Sequence, residues 1–304
     1  MAKGEQRPAA PAPGGWSAAK LRRLQILSSR LVSGLCAGQY RSVFRGRGIE
    51  FESVREYQPG DDVRCIDWNV TARAGTPYLK QFIEEREMTV MLLLDRSASL
   101  DCPTPRGTKS GTAAEVCALI AFAAARSNDR VGLVTCTDRV ERFIAPAKGP
   151  RQARAIVAAL GSEPVKGEGT DLKAALEFLE RTTRRSTTIC IVSDFNCADC
   201  SRELAALTRR HEVVAVLLTD PGDLELPEAG LVEVLDGETG CRRVIDTGSP
   251  VVRLAYREQA LVRRRELLGN LAAVGVKKLE VSTEEAPLHA LVRFFQGTRQ
   301  KGRR

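Results

Sequence analysis

Short apolar runs alternate with amphipathic segments from about residue 80 to the end of the chain. Residues 90–94 and the apolar parts of TTICIVSD and EVVAVLLTD predict buried strands, because apolar runs bounded by polar residues are typical of parallel sheets. The segment at 113–125 is apolar nearly all round, and RQARAIVAALGS has helical spacing. Strands that alternate with helices predict an α/β fold with a mostly parallel sheet.

The first 80 residues follow a different pattern. Residues 1–14 are rich in Pro, Ala and Gly, so we expect a disordered tail there. Leucines at helical spacing predict an amphipathic helix from about residue 16 to 35, at Leu21, Leu24, Leu27, Leu31 and Leu35. We expect an N-terminal accessory segment at 15–84, the main domain at 85–296 and a basic tail at 297–304.

The accessory segment contains REYQPGDDVRCIDWN, with a turn at Pro59-Gly60. We interpret it as a rigid turn that is held by pairs between arginines and carboxylates. The candidate arginines are Arg55 and Arg64, and the candidate carboxylates are Asp61, Asp62 and Asp67. Trp68 would then serve as a packing anchor.

Composition narrows the class of protein. The chain has 304 residues, of which 43% are hydrophobic and 28% charged, as in ordinary globular proteins. No apolar run approaches the ~18–20 residues of a membrane span, and the first residues lack the apolar core of a signal peptide. Nine cysteines, an odd number, suit a reducing compartment. We therefore expect a cytoplasmic protein with no membrane span.

The formal net charge of +8 raises the question of a nucleic-acid partner. Only 5% of the residues are aromatic, and no basic segment is interleaved with aromatics for base stacking. Solvated helix faces and the basic tail explain most of the charge, and an acidic protein partner would explain it equally well. We do not expect nucleic-acid binding.

Polar side chains follow two of the predicted strands. Asp95, Ser97 and Ser99 come directly after one strand, Asp194 follows another, and Thr170 lies in a loop before a helix. Ligands of open α/β sheets bind at the carboxyl ends of the strands, where these loops meet. Two carboxylates and three hydroxyls suit Mg²⁺, or Mn²⁺ and Ca²⁺. The hydroxyls leave the metal incompletely neutralised, so it could accept a carboxylate from another molecule.

Helix capping is the alternative for these residues. Ser99 or Asp101 could cap the next helix, and Thr170 or Asp171 could cap the helix that begins at Leu172. All five positions on one sheet edge favour the metal site, whereas Asp171 is better explained as a cap. GTKSGT at 107–112 is similar to a phosphate-binding loop, but its Lys is not preceded by Gly, and we reject that interpretation.

Cys197 and Cys200 form the single C-x-x-C of the chain. A redox pair or half of a zinc site would be the functional interpretations. There is no second C-x-x-C, and His211 and His289 are the only histidines, so zinc is not expected. We interpret the two cysteines as unpaired thiols.

Asp95, Ser97, Ser99, Thr170 and Asp194 resemble the metal-ion-dependent adhesion site (MIDAS) of von Willebrand factor type A domains. The upstream segment GIEFESVREYQPGDDVRCIDWNVTARAGTPYLKQF resembles a bacterial family known as domain of unknown function number 58, and the resemblance covers roughly residues 30–295. It implies a von Willebrand factor type A-like, Rossmann-type α/β sheet, mostly parallel with helices on both faces, plus an N-terminal accessory segment. Members of that family are often associated with MoxR-type AAA+ ATPases.

Three functions are consistent with these features: a metal-dependent protein-interaction module, a metal-dependent hydrolase and a basic nucleic-acid-binding protein. A hydrolase needs a general base or a nucleophile beside the metal. No histidine is close in sequence to the site segments, and Ser193 lacks a Gly-x-Ser-x-Gly setting. We therefore expect a non-enzymatic module that binds a partner Asp or Glu. The resemblance suggests an adaptor or co-factor of a MoxR-type ATPase in the assembly or maturation of protein complexes.

Overall fold

The computed structural model describes residues 20, 22–28, 50–58, 61–63, 66–83, 88–104, 107–162, 167, 169–235 and 241–301. These residues divide into two compact units, a small one within residues 45–88 and a large one that contains the remainder. No helix among them combines the length and the apolar character that crossing a bilayer requires. The predicted tails and the Pro59-Gly60 turn lie outside the described residues, except for 297–301, which continue a helix.

Part of the predicted N-terminal helix is present. Residues 20 and 22–28 are helical, and Leu24 and Ser28 are buried. The remainder of the predicted span, to about residue 35, lies outside the described residues.

The small unit is an antiparallel pair of strands with a short helix between them. Strands β1 (Glu50–Glu56) and β2 (Tyr78–Ile83) pair, and helix α1 (Trp68–Ala74) lies between them in sequence. Asp67 caps this helix, because its carboxylate accepts hydrogen bonds from the backbone of Asn69 and Val70.

The predicted pairing of arginine with carboxylate in this unit is confirmed for one pair. Arg55 donates two hydrogen bonds of 2.7 Å to Asp61, one to each carboxylate oxygen. This guanidinium is the main cause that holds the pKa of Asp61 below its usual value. The prediction for Trp68 is wrong: its side chain is 69% exposed, since it opens a helix that has no buried residue.

The large unit is built on a six-stranded sheet in the order β12-β9-β8-β3-β6-β7. Its strands are β3 (Thr89–Asp95), β6 (Arg130–Cys136), β7 (Val140–Lys148), β8 (Thr188–Ser193), β9 (Glu212–Thr219) and β12 (Lys277–Ser282). All neighbouring strands are parallel except β6 and β7, which are joined by a short turn. The predicted α/β class with a mostly parallel sheet is confirmed.

Two further antiparallel pairs lie outside this sheet. They are β4 (Pro103–Thr104) with β5 (Gly107–Thr108), and β10 (Leu231–Leu235) with β11 (Arg242–Asp246). The strands of the second pair have the sequences LVEVL and RRVID. Single turns of 3-10 helix occur at Ala98–Asp101 and Pro221–Asp223.

Helices cover both faces of the sheet. They are α2 (Lys109–Arg126), α3 (Gly149–Ser162), α4 (Leu172–Thr182), α5 (Ser201–Thr208), α6 (Pro250–Ala273) and α7 (Pro287–Lys301). One face packs Leu93 and Ile191 against Leu176 of α4, in a cluster that includes α5 and the end of α6. On a strand, successive side chains point to opposite faces, so Leu92 and Leu94 face the other layer, where α2 contacts β3, β6, β8 and β9.

The order of the strands places a crevice beside β3. The chain runs from β3 to β6 and β7 on one side, and then returns to β8, β9 and β12 on the other. The direction of winding therefore reverses between β3 and β8, and loops that leave these two strands at their carboxyl ends diverge to opposite faces. In open α/β sheets this reversal is where ligands bind.

Candidate metal centre at the carboxyl edge of the sheet

Asp95 is the last residue of β3, and its side chain is buried, with 1% of the residue exposed. One carboxylate oxygen accepts a hydrogen bond of 2.9 Å from the backbone N–H of Ser97. The other accepts a bond of 2.6 Å from the hydroxyl of Ser193. Because donors from both β8 and its own turn hold the carboxylate, its orientation is fixed by the fold.

The turn after β3 presents two hydroxyls beside that carboxylate. The Oγ atoms of Ser97 and Ser99 are 3.0 Å apart, and Ser97 is buried. Ser97 occupies the N-cap position of the 3-10 turn at Ala98–Asp101, yet its side chain makes no capping hydrogen bond. The next helix, α2, is capped instead by Thr108. The capping alternative for Ser99 and Asp101 is therefore wrong.

Asp194 follows β8 directly, on the neighbouring strand. Leu94 of β3 pairs with Val192 of β8, so Ser193 and Asp194 come beside and just beyond Asp95. The side chain of Asp194 is only 9% exposed, and it accepts a hydrogen bond of 3.1 Å from the backbone of Asn196. Two predicted ligands, on different strands, thus lie on one edge.

The charge of Asp194 acts on the buried carboxylate of Asp95. Burial raises the pKa of Asp95, and the charge of Asp194 raises it further, while the hydrogen bonds from Ser193 and Ser97 act in the opposite direction. Two carboxylates in a buried setting repel each other unless a cation or a proton lies nearby. The edge therefore favours a positive charge.

The backbone after Asp194 is strained. Phe195 has a φ of 55°, in the left-handed region that L-residues other than Asn and Asp rarely adopt. Its N–H donates a hydrogen bond of 2.8 Å to the Ser193 hydroxyl, which itself donates to Asp95. Ser193 therefore links this turn to Asp95, a role that its sequence setting did not reveal. Strain of this kind is typical of functional sites.

The loop that contains Thr170 is joined to the same edge of the sheet by a backbone hydrogen bond to Thr137. Thr137 follows β6, the other neighbour of β3, and its carbonyl accepts a hydrogen bond of 2.8 Å from the backbone of Asp171. Asp171 caps α4 by accepting from Ala174, so its predicted capping role is confirmed. Thr170 itself is half-buried at this edge. Its role as a ligand stays a prediction.

Gly167 allows the loop that contains Thr170 to approach Thr137 closely. A Cβ atom at this position would lie 2.1 Å from the Oγ1 of Thr137, which no side chain could tolerate. Its N–H also donates a hydrogen bond to Glu141, the same carboxylate that accepts from Thr137. Glycine here is a requirement of packing at the edge.

No local sequence pattern indicated that Lys109 belongs to this edge. It is the first residue of α2, its side chain is 6% exposed, and its ammonium lies 3.8 Å from Oδ2 of Asp194. It also donates a hydrogen bond of 2.5 Å to Asp223, which belongs to the turn after β9. Burial acts to lower the pKa of Lys109, but the hydrogen bond and charge of Asp223 and the charge of Asp194 outweigh it, and the pKa is raised. The side chain therefore carries a full positive charge.

Cys197 and Cys200 lie in the segment that leads from Asp194 to α5. Both are free thiols, and Cys200 is buried. The interaction between the two thiols is the main cause that lowers the pKa of Cys200 and raises the pKa of Cys197.

The donors at the edge fit a hard divalent cation better than zinc. No group of three or more His, Cys, Asp or Glu side chains in the described parts of the chain is arranged to hold a metal. What the edge offers is two carboxylates, from Asp95 and Asp194, with the hydroxyls of Ser97 and Ser99. Such a set suits Mg²⁺, which keeps several waters and needs only one or two protein carboxylates.

Uncharacterized bacterial proteins are similar in sequence to this chain. The uncharacterized protein Rv1480 of Mycobacterium tuberculosis is 32% identical over 286 residues, which cover 93% of this chain and 90% of that protein. The uncharacterized protein YeaD of Bacillus subtilis is 43% identical over 47 residues, which cover 16% of this chain and 12% of that protein.

Similar solved structures include the conserved hypothetical protein BatB from Bacteroides thetaiotaomicron. It matches with a TM-score of 0.43 and 13% identity, over 70% of this chain and 99% of that one. The VWA domain of SpRpn10 matches with a TM-score of 0.39 and 9% identity, over 69% of this chain and 95% of that one. A family model described as "Protein of unknown function DUF58" matches residues 53–266. The chain therefore belongs to the DUF58 family, as the resemblance of its motifs led us to expect.

Proposed function

We propose that this protein is a metal-dependent protein-interaction module, and that it serves as an adaptor or co-factor of a MoxR-type AAA+ ATPase in the assembly or maturation of protein complexes. One observation carries the metal-dependent part. The buried carboxylate of Asp95 is fixed by Ser97 and Ser193 and lies beside a second carboxylate, that of Asp194. The ATPase is proposed from the family resemblance alone.

The five predicted ligands would hold the metal as follows. Asp95 and Asp194 would supply negative charge, and hydroxyls would supply neutral oxygens, from Ser97, Ser99 and Thr170. Mg²⁺, or Mn²⁺ or Ca²⁺, would supply a Lewis-acidic centre that attracts an anionic oxygen. Because the protein provides few charged ligands, part of the positive charge remains available to a partner.

A carboxylate of the partner, from Asp or Glu, is the natural occupant of an open position on a hard cation. The net charge of +8 on this chain would favour an acidic partner surface during the encounter. Binding should therefore require the divalent ion and should weaken as salt is added.

Catalysis is less well supported. His211 directly precedes β9, so it lies at the amino edge of the sheet, opposite the site. His289 lies in the first turn of α7, which packs against β12, the outer strand three positions away from β3. His211 is therefore not placed to serve as a general base for a metal-bound water.

The test is recovery of a candidate MoxR-type ATPase on the immobilised chain, in excess Mg²⁺ and in EDTA. We expect recovery in Mg²⁺ only, and loss of recovery for Asp95→Ala and Ser97→Ala. Asp101→Ala is the matched control, because this exposed carboxylate lies in the same turn and outside the proposed ligand set. Equal recovery in the two buffers would remove the metal from the binding mechanism.

Calorimetry on the isolated chain tests the metal without any partner. Wild-type protein should bind Mg²⁺ or Mn²⁺, and Asp95→Ala should weaken that affinity by about 10–100-fold or more, the range seen when supporting groups of a metal site are removed. Equal affinity of wild type and Asp95→Ala would contradict the proposed site.

A further inference from the structure

Lys109 occupies an unusual position for a lysine at the start of a helix. Lysines are almost never buried unless they are paired, and the side chain of Lys109 is 6% exposed. It lies between two carboxylates that belong to the ends of different strands, Asp194 after β8 and Asp223 after β9.

The two carboxylates hold the ammonium unequally. Asp223 accepts a hydrogen bond of 2.5 Å, whereas the nearest oxygen of Asp194 is 3.8 Å away, beyond hydrogen-bond distance. The second oxygen of each carboxylate accepts from the backbone, that of Asp223 at 2.8 Å from Asp220 in a capping box and that of Asp194 at 3.1 Å from Asn196. The carboxylate of Asp220 in turn accepts from Thr283.

We infer that Lys109 is a resident cation of the metal site, which competes with the divalent ion for Asp194, and that Asp223 controls this competition by holding the ammonium back. The inference rests on the proposed function, because it concerns the same site. Two like charges cannot share one carboxylate at no cost, and burial strengthens their repulsion relative to water.

This arrangement has a consequence for the metal-free protein. With the ammonium nearby, Asp194 need not remain an uncompensated charge when no metal is bound. The loaded site would bear the charge of the metal and that of Lys109 together, which increases its attraction for an anionic partner group.

Two substitutions with opposite expected effects test the inference. Lys109→Met keeps the length of the side chain and removes its charge, so Mg²⁺ and Mn²⁺ should bind about tenfold more tightly. Asp223→Asn weakens the preferred partner of Lys109, so the ammonium should shift towards Asp194 and metal affinity should fall by a similar factor. Asp223 is 40% exposed, so this variant should fold even if the loss of Lys109 proves costly.

The measurements are calorimetric titration with each metal and thermal unfolding in EDTA. In EDTA, Lys109→Met should unfold at a lower temperature than wild type, because Asp194 and Asp223 lose their counter-ion. Glu228→Gln is the control for Asp223→Asn, since Glu228 is an exposed carboxylate that pairs with Arg253 and should leave metal affinity unchanged.

The outcomes separate this inference from the proposed function. Metal binding by wild type with equal affinities for Lys109→Met and Asp223→Asn would overturn the inference and leave the proposed function standing. Binding by Lys109→Met alone would support the inference and contradict the proposed function, because the lysine would then block the site in the wild type. Absence of binding in every variant would overturn both.

Discussion

The two edges of the central sheet both bury ionisable side chains, but they treat them differently. At the carboxyl edge, Asp95, Asp194 and Lys109 remain close to one another, and each accepts or donates hydrogen bonds. At the amino edge, His211 is 6% exposed, and neither of its ring nitrogens has a hydrogen-bond partner among the described residues. Both edges contain ion pairs, since Lys277 pairs with Glu212 at the amino edge, but that pair is more exposed than the pair of Lys109 with Asp194 at the carboxyl edge.

Each edge accommodates its buried ionisable groups in its own way. Burial of charge is costly and persists where other charges or donors compensate for it, as they do around Asp95. A single buried imidazole avoids this cost by losing its proton, because burial and then the charge of Arg210 lower the pKa of His211. The carboxyl edge retains buried charges at Asp95, Asp194 and Lys109, which the proposed binding of a metal would explain.

The largest effect should come from removing the charge at Asp95. Asp95→Asn keeps an oxygen that can accept from Ser97, but it removes the negative charge that a divalent cation needs. We expect metal affinity to fall by at least about 10–100-fold. The free energy of unfolding without metal should be equal to that of wild type or higher by about 1 kcal/mol, since burial opposes the charged form of this group.

Calorimetry and denaturant unfolding in EDTA check these two effects on the same protein. An Asn variant that is clearly less stable without metal would show that Asp95 supports the fold and not a ligand. Leu92→Ala serves as the comparison, because it removes apolar packing from the same strand. We expect it to lower the free energy of unfolding by about 2–5 kcal/mol.

A smaller effect is expected at the amino edge. The folded protein lowers the pKa of His211 below its ordinary value of 6.5, with Glu180 opposing weakly. Its contribution to stability is therefore complete above pH 6.5 and declines as the pH falls through the folded-state pKa, because the unfolded chain binds the proton first. His211→Leu should flatten this decline and stabilise the fold by about 1 kcal/mol, as it removes an unpartnered polar ring.

Unfolding measured between pH 5 and pH 8 checks this prediction, and metal affinity serves as the internal control. The affinity should not change in His211→Leu, since the residue lies at the other end of the strands. An unaltered slope of stability against pH would show that the imidazole is not the group that titrates.

The pattern of apolar runs was sufficient to predict the sheet, and with it the edge on which Asp95 and Asp194 lie. Parallel strands share a carboxyl edge whatever loops connect them, so two strand-end carboxylates could be placed together from the sequence. The capping role of Asp171 followed from its position just before a helical pattern.

Other features of the site depend on contacts that no local pattern encodes. Lys109 meets Asp223 across 114 positions of sequence, and the polar residues KSGT concealed the true start of α2. The role of Ser193 follows from its pairing beside β3, where its hydroxyl faces Asp95, and only the observation that it ends an apolar run could have drawn attention to it. Trp68 was misassigned because a large aromatic residue is usually buried, whereas this one opens a short exposed helix.

The smallest effect is predicted for Cys197 and Cys200, which lie in the segment after Asp194. Both are free thiols, and Cys200 is buried. Hard cations such as Mg²⁺ select oxygen over sulfur, so neither thiol should act as a ligand. Replacement of both cysteines with Ser preserves the approximate size of the side chains and their capacity for hydrogen bonding. We expect unchanged metal affinity and unchanged recovery of a partner in the double variant. A large loss of either, or an oxidising redox potential measured for the pair, would show instead that the segment after Asp194 carries a redox function and that the carboxyl edge serves more than a metal.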